Sequence, residues 1–377
     1  MAAPEGRFPE LLVLQGSSFC NIDCRYCYVA GRERRERMSE EVLRAVAQKV
    51  VAASGAPDEM EVAWHAGEPM ALPAAWVDAA CDMLAAHAPP GRRLRFVIQT
   101  NATLVDERWI AVIAKHRISI GVSIDGPEEI HDAKRVTRRG AGTFRSTMRG
   151  VEALCDAGVP FTAIAVLTRQ SLAEPDRMYD FFSSLRPTSL GFNIEEQEGE
   201  NRTTSLDVPG IEQAYRAFLR RFLERHRATG EPFRLRSLAT VRDLARGARL
   251  GLRGHGQQIE PFSILTVAAD GGLSTFSPEL IGTPAPDYAD FVFGNILTGG
   301  IEAMRRDAAL QRAAAQIAAG VRACRKSCAY FDVCGGGAPS NKFFENGSLA
   351  STETLHCRLV TMETVDAVLD SLELQDG

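Results

Sequence analysis

A six-unit α/β architecture, either an open barrel or a doubly wound sheet, is predicted for this 377-residue chain, and three observations carry the reading. From residue 11 to about 195, short β-branched or apolar runs alternate with longer Ala-rich amphipathic segments, the rhythm of βα units feeding a parallel sheet. Polar residues collect just after the apolar runs, the edge where α/β proteins build their sites. A hydrophobic content of 45% supplies a core for one large domain and a smaller appendage. Six units are fewer than a closed eightfold barrel needs, so both arrangements fit.

Each element follows in order. The apolar runs are LLVLQGS (11–17), MEVAWHA (60–66), LRFVIQT (94–100), ISIGVSI (118–124), FTAIAVL (161–167) and LGFNIEE (190–196). Their trailing polar residues are Ser17, then His65 and Glu68, Gln99 to Asn101, Ser123 and Asp125, and finally Glu195 and Glu196. Helical periodicity fills 39–54, 73–88, 105–116, 143–157 and 176–185. The polar stretch QEGENRTTSLDV (197–208) reads as a boundary, followed by helical segments at 209–228 and 236–248. Two short strands flank the turn Asp270-Gly271-Gly272, DFVFGNI (290–296) adds an extended piece, and a helix lies near 299–318. The organisation expected is 1–200, a helical connection over 201–260, and a C-terminal unit over 261–377.

Composition excludes several classes. A formal net charge of -5 gives no basic footprint for nucleic acid, and no apolar run reaches membrane-spanning length. With no signal-peptide pattern at the start, a cytoplasmic protein without a disulfide framework is expected. The run GRERRERM (31–38) reads as a solvated loop. Seven of the nine cysteines fall into two groups, Cys20, Cys24 and Cys27, and Cys324, Cys328, Cys334 and Cys357. Cys81 and Cys155 stand alone in Ala-rich helical surroundings and read as buried, inert thiols. Zinc prefers four tetrahedral ligands, which the first group does not supply. Thiolates also hold iron-sulfur clusters, and a [4Fe-4S] cube on three cysteines leaves one iron open.

Cys20-x3-Cys24-x2-Cys27, with Tyr26 just before the last cysteine, resembles the signature of the radical S-adenosylmethionine superfamily. The fold this implies is a partial (β/α)6 radical SAM barrel, with a [4Fe-4S] cluster whose open iron chelates S-adenosylmethionine. Reductive cleavage of that cofactor then gives a 5'-deoxyadenosyl radical. Supporting segments occur in the expected order. Ala66-Gly67-Glu68-Pro69 resembles the family's GGEP motif, with Ala66 in place of the first glycine. The resemblance implies that Glu68 and nearby carbonyls receive the cofactor's ammonium, that Ser123 meets its ribose or carboxylate, and that Arg135 holds the carboxylate. Asn101 lines the same edge.

The second cysteine group resembles the auxiliary-cluster region of SPASM and twitch enzymes, implying a SPASM/twitch-like domain with one further [4Fe-4S] cluster. Ala338, and Phe276 to Pro278, stand where a full SPASM domain has more cysteines, so one auxiliary cluster is expected, not two. Zinc at this second site is the alternative. STFSPELIG, DFVFGNI, CGGGAPSNKFFENGSLASTETLHC and FNIEEQEG resemble the branch that crosslinks ribosomal precursor peptides, including cyclophane-forming maturases. That likeness implies removal of a β-hydrogen, addition of the carbon radical to an aromatic ring, and loss of one electron and one proton. The auxiliary cluster is the candidate electron acceptor, and Glu195, Glu196 and Glu279 are the candidate proton acceptors. A reductant such as flavodoxin or ferredoxin is the implied partner. The alternatives are sulfatase-type maturation, radical modification of a small-molecule substrate such as sulfur insertion into a nucleoside, and an iron-sulfur carrier or zinc module. No extension precedes LLVLQGSSFC, so the barrel, the C-terminal region or a separate protein is expected to recognise a peptide substrate.

Overall fold

The strands run in sequential order, and that order decides between the two architectures. The computed structural model describes residues 8–249 and 256–373. Within them β1 (Leu11–Leu14), β2 (Glu59–Trp64), β3 (Arg93–Thr100), β4 (Ser119–Ser123), β5 (Phe161–Leu167) and β6 (Ser189–Ile194) lie side by side, all parallel. A doubly wound sheet reverses its strand order at a switch point, and the run from β1 to β6 does not. With the usual right-handed crossovers, an unreversed order puts every connecting helix on one face. The sheet therefore curls with helices outside, as a partial barrel.

The pleat records the two faces. In β5, Phe161, Ala163, Ala165 and Leu167 are buried, whereas Ile164 and Val166 border an internal cavity. The same period of two turns Phe96 and Ile98 into the core and Gln99 toward the cavity. Closure is visible from the ends: Glu196, just past β6, and Glu279, just past β9 (Gly272–Thr275), border one cavity, although β8, β1, β2, β3, β4 and β5 lie between those strands.

The C-terminal part is woven into the same sheet. β8 (Ile264–Val267) pairs parallel with β1, β9 pairs antiparallel with β8, and β10 (Gly294–Asn295) antiparallel with β9. A short β7 (Arg234–Leu235), absent from the sequence reading, extends the far edge beside β6. DFVFGNI is extended only at its end: a 3-10 segment over Pro286–Phe291, in which Ala289 and Asp290 take positive φ, turns the chain into β10.

The helices follow their periodicity and caps. Ser39 accepts from Val42 N at the start of Glu40–Val46, which widens into a π-helical turn over Ala47–Val51. Asp106 caps Glu107–His116 in the same way. The helix Glu128–Lys134 is not legible beforehand, because over seven residues it buries only Ile130 and His131 and shows no apolar stripe. Ile211–Ala228 buries Ile211, Tyr215, Phe218, Leu219, Phe222, Leu223 and His226, a spacing that keeps one face inward. It packs against Pro175–Leu185 and Thr364–Glu373. No helix of the described residues is long and apolar enough to cross a membrane.

Candidate active site

The loop after β1 is held rigidly against its neighbours. Cys20 N donates to Arg32 O (3.0 Å), Asp23 N to Val136 O (2.7 Å) and Arg25 N to Lys134 O (2.9 Å). Cys20, Cys24 and Cys27 all border a cavity of about 450 Å³ at the C-terminal ends of the strands. Burial pushes the Cys20 thiol up to about 12, helped by Glu68, and burial pushes Cys24 up to about 11. Both thiols stay protonated until a metal centre displaces their protons.

Gly67 sets the distance between this loop and β2. Its φ is +56°, and a Cβ there would stand 2.3 Å from Phe19 O. Only glycine fits. Ala66 takes the left-handed region too, at φ 67°, so the alanine in place of a glycine sits strained rather than displaced. Glu68 is buried, and its carboxylate accepts from Thr100 Oγ1 (2.7 Å), Asn101 N (2.7 Å) and Met70 N (2.9 Å). Those bonds make it a brace between the ends of β2 and β3, and it borders the cavity.

Asn101 donates to Asn21 Oδ1 (3.0 Å) and faces Cys20 Sγ at 3.9 Å. Ser123 accepts from Gln99 Nε2 (2.8 Å), and both border the cavity. Arg135 is buried, with Nε 3.1 Å from Asp125 Oδ1 and a guanidinium nitrogen 3.8 Å from Cys24 Sγ. Burial opposes its charge, but Asp125, Tyr26 and Cys24 more than offset that and raise its pKa. Tyr26 donates to Asp125 Oδ2 (2.5 Å) beneath the Arg135 guanidinium. Arg135 thus borders the cavity beside Asp125 and Cys24.

The three candidate proton acceptors separate. Glu195 is buried in an ion pair with Lys134 and accepts from Ser205 N (2.8 Å), and it does not border the cavity. The ion pair with Lys134 holds it apart from the cavity that Glu196 and Glu279 border. Glu196 and Glu279 do border the cavity. Burial, reinforced by Glu196, pushes Glu279 up to about 7, and its Oε2 is buried without a hydrogen-bond partner. Glu198, which sequence reasoning missed, lines the same wall with a buried, unpartnered Oε1. Burial, then Glu279 and Glu196, hold its pKa well above the ordinary range. It lies two residues beyond the run that ends on Glu196, and position past β6 was the one available signal. Tyr28, Ser340, Asn341 and His356 complete that wall.

A second cavity, of about 270 Å³, is bordered by Cys324, Cys328, Cys334 and Cys357 together. They come from the last turn of Ala308–Ser327, its C-cap, the end of Phe331–Cys334 and the start of Cys357–Glu363. Tetrahedral zinc brings sulfurs to roughly 3.8 Å of one another. Among the described residues the one set of three or more His, Cys, Asp or Glu ligand atoms all within 4.8 Å is Asp78, Asp82 and His116. Neither cysteine group brings its ligand atoms all within that distance. Gly336 N lies 3.4 Å from Cys334 Sγ, Thr354 N 3.3 Å from Cys357 Sγ and the buried Lys342 Nζ 3.5 Å from Cys324 Sγ, donors of the kind that orient and tune metal-bound thiolates. Cys81 is buried as expected, whereas Cys155 is exposed on the outer side of Phe144–Asp156.

Comparison with known proteins agrees with this geometry. The model of the radical SAM superfamily matches residues 14–182. An uncharacterised protein of Synechocystis is 36% identical over 369 residues, covering 97% of this chain and 92% of that one. A serine-type anaerobic sulfatase-maturating enzyme of Klebsiella aerogenes is 30% identical over 182 residues, which span 48% of this chain and 45% of that enzyme. The solved structure of anSMEcpe with bound AdoMet and Cp18Cys peptide superposes with a TM-score of 0.78 at 21% identity, covering 97% of this chain and 98% of that one. Streptococcus suis SuiB bound to the precursor peptide SuiA gives 0.65 at 15%, over 93% and 76%. At such identities the two structures establish a shared fold. This chain belongs to the radical SAM superfamily.

Proposed function

We propose that this radical SAM enzyme oxidatively crosslinks two residues of a ribosomally made precursor peptide. The observation that carries the reading is one cavity with Cys20, Cys24 and Cys27 on one wall and, on the other, a Glu279 carboxyl whose Oε2 has no hydrogen-bond partner. A peptide substrate is supported by the fold shared with anSMEcpe and SuiB, both solved with peptides bound. When bound, the cluster and S-adenosylmethionine supply a hydrogen-abstracting 5'-deoxyadenosyl radical. Cys20, Cys24 and Cys27 hold that cluster, and Cys324, Cys328, Cys334 and Cys357 hold the auxiliary one. The turn at Ala66 and Gly67, with Gln99, Asn101 and Ser123, offers the cofactor its polar contacts, while Glu68 and Arg135 brace that surface.

Restoring an aromatic ring after carbon–carbon bond formation releases one electron and one proton; an auxiliary cluster on Cys324, Cys328, Cys334 and Cys357 would be the acceptor for the electron. Glu279 receives the proton, because a carboxyl raised to about 7 has both forms populated near neutrality. A second reading, sulfatase-type maturation, draws on the 30% identity to a maturating enzyme over 182 residues and needs the same proton acceptor.

The test is anaerobic reconstitution, iron counting, and mass spectrometry after incubation with S-adenosylmethionine, dithionite and the precursor peptide encoded beside the gene. About eight irons per chain are expected for two [4Fe-4S] clusters. The peptide should lose two hydrogens and resist fragmentation between the joined residues. A product that reacts with hydrazides identifies an aldehyde and favours the second reading. Release of 5'-deoxyadenosine with the peptide unchanged overturns both and points to a small-molecule substrate.

A further inference from the structure

The far wall of the main cavity carries more carboxyl groups than proton transfer uses. Glu196 and Glu198 follow β6, Glu279 follows β9, and they interact closely enough that Glu196 and Glu279 raise the pKa of Glu198. Glu196 Oε2 accepts from Asn341 Nδ2 at 2.5 Å, and its Oε1 is 3.8 Å from His356 Nε2. Glu198 is only 6% exposed, yet its Oε1 has no partner, and neither has Glu279 Oε2. The lysines that could have neutralised this wall are committed elsewhere, Lys134 to Glu195 and Lys342 to Cys324 Sγ. Buried carboxyl groups left without donors hold their protons, and a cationic partner is what would let them ionise.

Spacing selects the kind of cation. The three carboxylates do not bring ligand oxygens all within 4.8 Å of one another, which is too open for the coordination shell of one hard metal ion. A guanidinium spreads five donors over a planar fork and can serve separate carboxylates at once. Tyr28 lines the cavity beside them, and an aromatic ring is a favourable neighbour for a guanidinium. The cofactor-facing residues Gly67, Asn101 and Ser123 stand on the ends of β2, β3 and β4, the opposite side of the curl.

We infer that Glu196 and Glu198 seat an arginine side chain of the substrate peptide, fixing which neighbouring residue faces the radical. The inference rests on the peptide reading above. An arginine so held neutralises the wall and keeps the peptide in register beside Glu279.

The full reconstituted chain, immobilised anaerobically, is incubated with a random octapeptide library, and retained peptides are sequenced by mass spectrometry. Arginine, and lysine more weakly, should be enriched at least about tenfold over aspartate and glutamate. In the best-retained peptide, replacing that arginine by isosteric, uncharged citrulline should weaken binding about tenfold in the native protein and less than about threefold in Glu198→Gln, a coupling that a merely structural role for Glu198 would not produce. Glu196→Gln repeats the cycle should Glu198→Gln fold poorly. Retained peptides without a cationic preference, or an equal citrulline penalty in all proteins, overturn the arginine site and leave the peptide reading standing. Retention of no peptide at all overturns the peptide reading and this inference with it.

Discussion

Three residues translate local physics into measurable behaviour. Adding a methyl at Gly67 forces a Cβ against the Phe19 carbonyl, one residue before Cys20. The positive φ adds strain of roughly 1–2 kcal/mol. Gly67→Ala should therefore unfold at lower temperature by calorimetry and lose S-adenosylmethionine binding by equilibrium dialysis, while Ala66→Gly is tolerated. Glu279 titrates upward from 4.5 to about 7, and only its ionised form accepts a proton. Turnover should rise with pH through that value, and Glu279→Gln should flatten the profile and lower the rate roughly 10²- to 10⁴-fold. Lys342 donates to the Cys324 sulfur from a buried position. A positive donor there favours the more negative, reduced state of a bound cluster. Lys342→Met should lower the midpoint potential of the auxiliary cluster alone in an EPR-monitored titration; an unchanged potential would remove the lysine from that role.

At the scale of elements, Ile211–Ala228 is the strut that joins barrel to C-terminal region. Its Phe222 packs edge-on against Phe192 of β6 (5.1 Å) and Tyr179 of Pro175–Leu185 (5.2 Å). On its other side Arg216 binds Glu363 and Asp366, each at 2.5 Å, and Asp366 also accepts from Tyr330, which lies between Cys328 and Cys334. The strut thus reaches the four-cysteine cavity through two side chains. Phe222 is fully buried, so Phe222→Ala should cost about 3–5 kcal/mol in denaturant titration, and iron retention should fall along with it.

Over the whole molecule, one sheet ties both cysteine sites to a single folding unit. β1 is paired on both sides, with β2 and with β8. Cutting the chain after residue 200, where composition marks a boundary, strips β8 away and leaves the buried Leu12 and Leu14 on a bare strand edge. Such edges template aggregation. The 1–200 fragment should elute as aggregate by size-exclusion chromatography, whereas a monomeric, cluster-binding fragment would show that the barrel stands alone. The helix Pro339–Asn346 has the same integrating effect: Asn341 borders the main cavity and Lys342 reaches Cys324 at the second.

The sequence by itself determined what depends on short-range order. Six βα units, their strand and helix spans, the site edge and both cysteine groups are visible because pleat, helical period and ligand spacing act over a few residues. Tertiary structure alone decided the curl of the sheet, the meeting of β6 and β9 ends, the diversion of Glu195 to Lys134, the three donors that brace Glu68, the pairing of Arg135 with Asp125, and the exposure of Cys155. Whether a carboxylate is satisfied or left bare is set by partners from distant strands. Glu195 and Glu198 both follow β6, yet one is paired with Lys134 and the other keeps an unpartnered oxygen on the cavity wall, because long-range register, not local pattern, determines which donors arrive.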